Sequence, residues 1–318
     1  MEWKKLGRIF DPTQHALPND CTQFAQSPQA LVFNDFVRIY FSTRALDQYG
    51  KYLSHIAFVD MDKSFRDVLR VSDHTVIQLG ALGCFDEHGI FPFSVLRHGN
   101  LVYGYTSGWN RRVSVSVDTA IGLAISSDGG MTFRRIGDGP VLASSLGEPC
   151  LVGDPFVKVI GDTFHMWYIF GTGWKRFTID GPPDRIYKIG HAVSQDGINW
   201  RKEDGRQIVA DRIGSDESQA LPTVIGIDGR LQMFFCYRQS SNFRTNKERG
   251  YHIGHAWSDD LIDWTRDDSH MMLEGSPGEW DSDMQCYPHV FECEGKIYLL
   301  YNGNEFGRYG FGLAVLDT

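Results

Sequence analysis

Carboxylates recur in this chain at a fixed offset from the proline that opens a predicted strand. Counting back five residues from Pro92, Pro222 and Pro288 reaches Glu87, Glu217 and Asp283, and Asp154 stands directly before Pro155. Their loops are acidic: Phe85-Asp86-Glu87-His88, Glu148 to Asp154, Ser215-Asp216-Glu217, and Trp280-Asp281-Ser282-Asp283-Met284-Gln285. A second set of loops is basic and aromatic. Ser107-Gly-Trp109-Asn-Arg111-Arg112 and Thr172-Gly-Trp174-Lys175-Arg176 are near copies. Arg238 with Arg244, Lys247 and Arg249, and then Asn304-Glu305 with Arg308, hold the corresponding places further on. Cleavage of a glycosidic bond needs such carboxylates: one protonates the leaving oxygen, and another acts as base or nucleophile across the ring. Indole faces stack on sugars, and arginine forks toward hydroxyl, carboxylate or phosphate groups. The plainer uses of the same residues are solvated acidic loops and tryptophans packed in a core.

These loops converge only if the elements between them repeat, and one phrase does. It reads Ile121-Gly-Leu-Ala-Ile-Ser-Ser-Asp128, Ile189-Gly-His-Ala-Val-Ser-Gln-Asp196 and Ile253-Gly-His-Ala-Trp-Ser-Asp-Asp260, with fainter copies from Leu53 and Phe311. Copies spaced by 58 to 68 residues, each holding several short strands, predict a β-propeller, and five copies predict five blades. Four strand signals recur. The first is a run around a proline, which lacks a ladder donor and so belongs at a strand start. The second is aromatic and β-branched, as in Phe164-His-Met-Trp-Tyr-Ile-Phe170. The repeated phrase is the third, and the fourth starts near a tryptophan, as in Trp200 to Val209. The last copy lacks its fourth strand, and Trp3–Phe10 resembles Trp200–Val209.

The expected fold is therefore all-β. It is a single five-bladed β-propeller over residues 1–318, with four antiparallel strands per blade and the ring closed by the N-terminal strand joining the last blade. The approximate blades are 20–80, 81–147, 148–215, 216–283, and 284–318 plus 1–12. First strands then line the channel, and both loop sets open on one face. Gln23 and Gln26 hold the first blade's place there. In Ser126-Ser-Asp128-Gly-Gly-Met-Thr-Phe133 the aspartate is expected to cap a turn.

A net charge of -9 leaves no basic excess to neutralise nucleic-acid phosphates. No run approaches 18 apolar residues, so no membrane span is expected. The opening Met1-Glu-Trp-Lys-Lys-Leu-Gly-Arg has no apolar signal segment, so a cytoplasmic location is expected. Six scattered cysteines without a C-x-x-C pair read as free thiols rather than a zinc site. His191 and His255 fall in the repeated phrase and read as structural. No metal and no cofactor are expected.

Gly153-Asp154-Pro-Phe-Val157, the Ile-Gly-His-Ala-x-Ser-x-Asp-Gly-x-x-Trp phrase and the five repeats together resemble the five-bladed β-propeller glycosidase superfamily, which includes glycoside hydrolase families 43, 32 and 130. The resemblance spans nearly the whole chain. It implies three acids from consecutive blades: Glu87 (or Asp86) as base or nucleophile, Asp154 as the modulating aspartate before proline, and Glu217 as general acid. Candidate substrate contacts are Gln26, Asp86, His88, Trp109, Arg111, Trp174, Arg176, Arg238, Asp283, Gln285 and His289. The chain departs from the family in three ways. It has no Asn-Asp-Pro-Asn-Gly near the N-terminus, it has Gln26-Ser-Pro where many relatives hold an acid, and Glu217 lies five residues before its proline. The expected activity is cleavage of a glycosidic bond in a small saccharide or sugar phosphate within the central pocket. One alternative is a phosphorylase or glycosyltransferase whose arginines hold phosphate, sugar phosphate or nucleotide sugar. The other is a non-catalytic carbohydrate-binding propeller.

Overall fold

The computed structural model describes residues 1–271 and 273–317. The chain opens with β1 (Glu2–Phe10). Next come β2 (Gln23–Val32), β3 (Val37–Leu46), β4 (Tyr52–Met61) and β5 (Val68–Val71), and then β6 (Gly89–His98), β7 (Leu101–Arg111), β8 (Val117–Ser126) and β9 (Arg134–Arg135). The third group is β10 (Val152–Ile160), β11 (Thr163–Lys175), β12 (Asp184–Ser194) and β13 (Arg201–Lys202). The fourth is β14 (Glu217–Ile227), β15 (Arg230–Gln239), β16 (His252–Ser258) and β17 (Thr265–Arg266). The last is β18 (Cys286–Cys293), β19 (Lys296–Asn302) and β20 (Phe311–Asp317).

Among the described residues the strands form three four-stranded sheets and one eight-stranded sheet. The large sheet is two antiparallel units joined by one parallel pair, Ser54 opposite Gly89. The repeated phrases fall on β4, β8, β12, β16 and β20, the third strands. The N-terminal strand β1 pairs antiparallel with β20, from Glu2 opposite Asp317 to Phe10 opposite Phe311, and so gives the last sheet its fourth strand.

Burial falls from the inside of each unit outward. The first strands β2, β14 and β18 are buried on both faces along most of their length. The last strands β9, β13 and β17 are two residues each, and short edges resist pairing with other chains. The Trp200–Val209 run therefore yields less strand than its composition suggests. Only Arg201–Lys202 pairs with β12 as a strand; the chain turns at Gly205, which has a φ of +77°, and touches β12 again at Ile208, whose amide donates to the Ile189 carbonyl at 3.0 Å. β2 lies against β6, β6 against β10, β10 against β14, β14 against β18, and β18 against β2.

Apolar clusters fill the seams between consecutive units. Tyr40, Phe58, Phe93 and Phe133 join the first and second, and Tyr105, Phe164 and Phe170 the second and third. Trp167 and Phe235 meet between the third and fourth, and Trp3, Phe234 and Tyr301 between the fourth and last. Phe10, Phe41, Phe291 and Phe311 join the last to the first. Each such side chain contributes roughly 1.5–3 kcal/mol by leaving water.

The serine–aspartate end of the phrase builds a tight turn. Asp128 accepts the Met131 and Thr132 amides at 3.0 Å and the Thr132 hydroxyl at 2.6 Å. Asp196 and Asp260 cap tighter turns, accepting the amides two and three residues on: Ile198 and Asn199, and Ile262 and Asp263. Burial opposes ionisation of Asp128, but the Ser126, Thr132 and Met131 hydrogen bonds outweigh it and hold its carboxyl down at about 2. A depressed acid stabilises the fold above its ordinary range and loses that contribution as pH falls through the folded value. Asp128→Ala should cost about 1 kcal/mol at pH 7 in urea unfolding, with the difference closing toward pH 2.

Candidate active-site pocket

Every first strand carries a bulge at its proline. The pairing registers jump between Gln26 and Gln29, Ile90 and Phe93, Gly153 and Phe156, Ala220 and Thr223, and Cys286 and His289. At four of the bulges the residue before the proline adopts a left-handed backbone: Ser27 at φ +52°, Asp154 at +49°, Leu221 at +49° and Tyr287 at +56°. A proline normally pushes its predecessor to extended conformations, so these residues are strained, and the surrounding sheet holds them. Bulges re-aim side chains. Here Asp154, Leu221 and Tyr287, with Phe91 at the remaining bulge, turn into one cavity of about 320 Å³.

Asp154 is the acid of this floor. Its residue is only 8% exposed, and one oxygen accepts the Leu221 amide at 3.3 Å. Burial pushes its carboxyl up to about 7, against the opposing effects of the Leu221 N–H and the Arg185 charge. The wall is aromatic, with Phe24, Tyr52, Trp109, Tyr187, Phe243 and Tyr251. Trp109 lies over Gly89, where an added Cβ would come within 2.2 Å of the indole nitrogen, so only glycine fits beneath the ring. The Tyr187 and Tyr251 hydroxyls meet at 2.6 Å.

Of the candidate catalytic and substrate-contact residues, Gln26, Trp109 and Asp154 line the cavity, joined by Arg244 and Glu305 of the basic loops. Arg238 lies behind its wall, fully buried, donating to the Tyr187 hydroxyl at 3.0 Å with its guanidinium 3.5 Å from the Phe243 ring centroid. His88 stacks against Trp109 with ring centroids 6.0 Å apart. Trp174 pairs across the sheet with Arg185 on the rim side. Arg111 is bound to Asp47 at 2.8 Å, Arg176 donates to the Gly181 carbonyl at 2.7 Å, and Asp283 pairs with Lys247 at 2.6 Å. Gln285 lines a separate small depression with Arg212 and Tyr237. His289 is buried between Phe156 and Phe291, and burial lowers its pKa to about 3.

The acidic loops have a different use from the one their composition suggests. Asp86, Glu148, Glu217 and Asp281 have no exposed side-chain surface, and each is paired with a cation of its own unit's last strand or the turn leading to it. The partners are Arg135, Lys202, Arg266 and Lys5. Each partner stands two residues after the aromatic that opens the last strand: Phe133, Trp200, Trp264 and Trp3. Arg266 reaches Glu217 at 2.6 Å, and the Arg212 and Ile213 amides take its other oxygen at 2.8 and 3.0 Å. Glu217 therefore does not line the cavity. Neither does Glu87, which accepts the Gly83 amide at 3.0 Å. Besides Asp154, the carboxylate among the described lining residues is Glu305, paired with Arg308 at 2.8 Å on the rim.

Two lining arginines, Arg44 and Arg185, carry no mark in the sequence, whereas a third, Arg244, belongs to the basic loop that follows Arg238. Arg44 ends a second strand and Arg185 begins a third, positions at which the repeated phrase carries no marker. Among the described residues no group of three or more His, Cys, Asp or Glu side chains is placed to hold a metal ion.

No protein-family model matches the chain. It is 35% identical over its whole length to the whole of MT1551, an uncharacterised protein of Mycobacterium tuberculosis (strain CDC 1551 / Oshkosh). Solved structures of similar architecture include a glycoside hydrolase, with a TM-score of 0.74 and 15% identity over 99% of this chain and 92% of that one. A thermostable family-43 glycoside hydrolase gives a TM-score of 0.64 and 15% identity over 94% and 91%. A member of the GH130 family of mannoside phosphorylases gives 0.68 and 13% over 99% and 94%. The chain thus belongs to one family with the mycobacterial protein MT1551, and its fold is that of the β-propeller glycosidases of the family-43, family-130 and family-32 group.

Proposed function

We propose that this protein is a carbohydrate-active enzyme that cleaves a glycosidic bond in the cavity, with Asp154 as the group that passes the proton. The frame is one domain, a ring of five blades closed by β1. The circular order of first-strand contacts and the five apolar seams support it. The single observation that carries the chemistry is Asp154, a buried carboxyl on the cavity floor, raised to about 7. A general acid or base works best when its pKa lies near the operating pH. Aromatic walls suit the apolar faces of a sugar ring. Six free cysteines suit a reducing cytoplasm.

Glu87 and Glu217 are engaged elsewhere, so the second participant of a two-carboxylate hydrolysis would be Glu305 at the rim. The lining arginines favour a second reading, in which phosphate attacks the anomeric carbon as Asp154 protonates the leaving oxygen. Phosphate is then the nucleophile, and one carboxyl suffices. Mass spectrometry of products from pooled oligosaccharides, with and without inorganic phosphate, tests both. Free sugar without phosphate is the expected result for hydrolysis, and sugar phosphate only with phosphate for the second reading. Turnover that survives Asp154→Asn would overturn both readings.

A further inference from the structure

The cavity carries a charge surplus that the chain as a whole does not. The protein's net charge is -9, yet three arginines line this one pocket. Among the described residues Arg44 makes no ion pair. Its guanidinium rests over the Phe24 and Tyr52 rings, 4.8 and 5.6 Å from their centroids, and its buried Nε has no hydrogen-bond partner among the described residues. Arg185 donates to the Ser116 hydroxyl at 3.3 Å and likewise makes no ion pair among the described residues. Arg244 has, among the described residues, only Asp184 at 3.6 Å as an ion-pair partner, and lies against the Phe243 ring at 4.1 Å. Behind that ring is the buried Arg238, bonded to neutral groups.

The acids do not balance these cations. Asp154 is buried and inclined to hold its proton, and Glu305 is taken by Arg308. Burial is the main cause that disfavours the charged forms of Arg44 and Arg244; repulsion from Arg185 and Arg238 adds to it at Arg244, and repulsion from Arg244 adds to it at Arg44, where Tyr287 and Tyr52 oppose it. A partly desolvated cation without a counter-charge is unfavourable and leaves its donors unspent. An anion between the three would satisfy both, in a water-poor site where charge-assisted hydrogen bonds are strong.

We propose that Arg44, Arg185 and Arg244 form an anion subsite, so that the cavity selects saccharides bearing a carboxylate or a phosphate over neutral ones. This rests on the reading of the cavity as a saccharide site and specifies its substrate class. Calorimetric titration of the full chain with inorganic phosphate, glucose 1-phosphate, glucuronate and glucose tests it. The expected result is that at least one anion binds ten-fold or more tighter than glucose and weakens in high salt. Arg44→Gln and Arg244→Gln should each weaken that anion at least ten-fold, and Arg44→Lys, which keeps the charge but not the guanidinium packing, should retain part of the affinity that the glutamine variant loses. Preference for glucuronate identifies a carboxylate, and preference for the two phosphates identifies a phosphoryl group. Anions that bind no better than glucose, or with equal affinity to both glutamine variants, overturn the proposal. Asp154→Asn separates the two claims. It should keep anion binding, so turnover that survives it overturns the catalytic reading while the subsite stands.

Discussion

Asp154→Asn should abolish most turnover and yet stabilise the fold above neutral pH. Removing a general acid lowers rates by about 10²–10⁴-fold. The stability change follows from linkage. The folded carboxyl titrates at about 7, above the ordinary value of 3.8, so the native state binds this proton more tightly than the unfolded chain does. Stability is therefore lost as pH rises from about 4 to about 7, and the full cost is present above that. Roughly three pH units at 1.36 kcal/mol each sets an upper bound of about 4 kcal/mol. Asparagine carries no such charge and keeps an oxygen for the Leu221 amide. In urea unfolding the variant should exceed the wild type by about 2–4 kcal/mol at pH 8 and by little near pH 4. An equal gap at both values would mean that the charge is not what Asp154 contributes.

Lys202→Met should cost about 3–5 kcal/mol, although Lys202 lies far along the chain from the acid it serves. Glu148 has no exposed side-chain surface, and the Tyr168 hydroxyl at 2.7 Å and the Gly205 amide at 3.2 Å would remain its partners without a compensating charge. Replacing a whole buried pair by apolar side chains is often nearly neutral, so the Lys202→Met, Glu148→Met double variant should recover most of the loss. A double-mutant cycle by denaturant unfolding measures the coupling. A single-variant cost below about 1 kcal/mol would mean that the pair behaves as a surface ion pair and does not tie the loop to the last strand.

The strands were legible because their signals are local. The repeated phrase marks the third strands, aromatic runs mark the second, and the likeness of Trp3–Phe10 to Trp200–Val209 anticipates the β1–β20 pairing. The pocket was less legible, for two reasons. The carboxylates of the acidic loops look available in sequence, and their cations lie about 50 residues away or at the other end of the chain. The signal that would have found them is a column: an aromatic at 3, 133, 200 and 264, with a cation two residues on at 5, 135, 202 and 266. The aim of the pre-proline side chains was hidden because it depends on positive φ, which a following proline normally disfavours. Only one of those positions holds an acid, so the floor carries one carboxyl where a ring of them was expected.

The proposed chemistry depends on a proton at one atom. Carbon-13 NMR titration of the labelled aspartate carboxyls, with Asp154→Asn to assign the resonance, measures it directly. The expected midpoint for Asp154 is about 7. A midpoint near 4, the ordinary aspartate value, would leave the cavity floor with a permanently ionised carboxylate and contradict its role as proton donor.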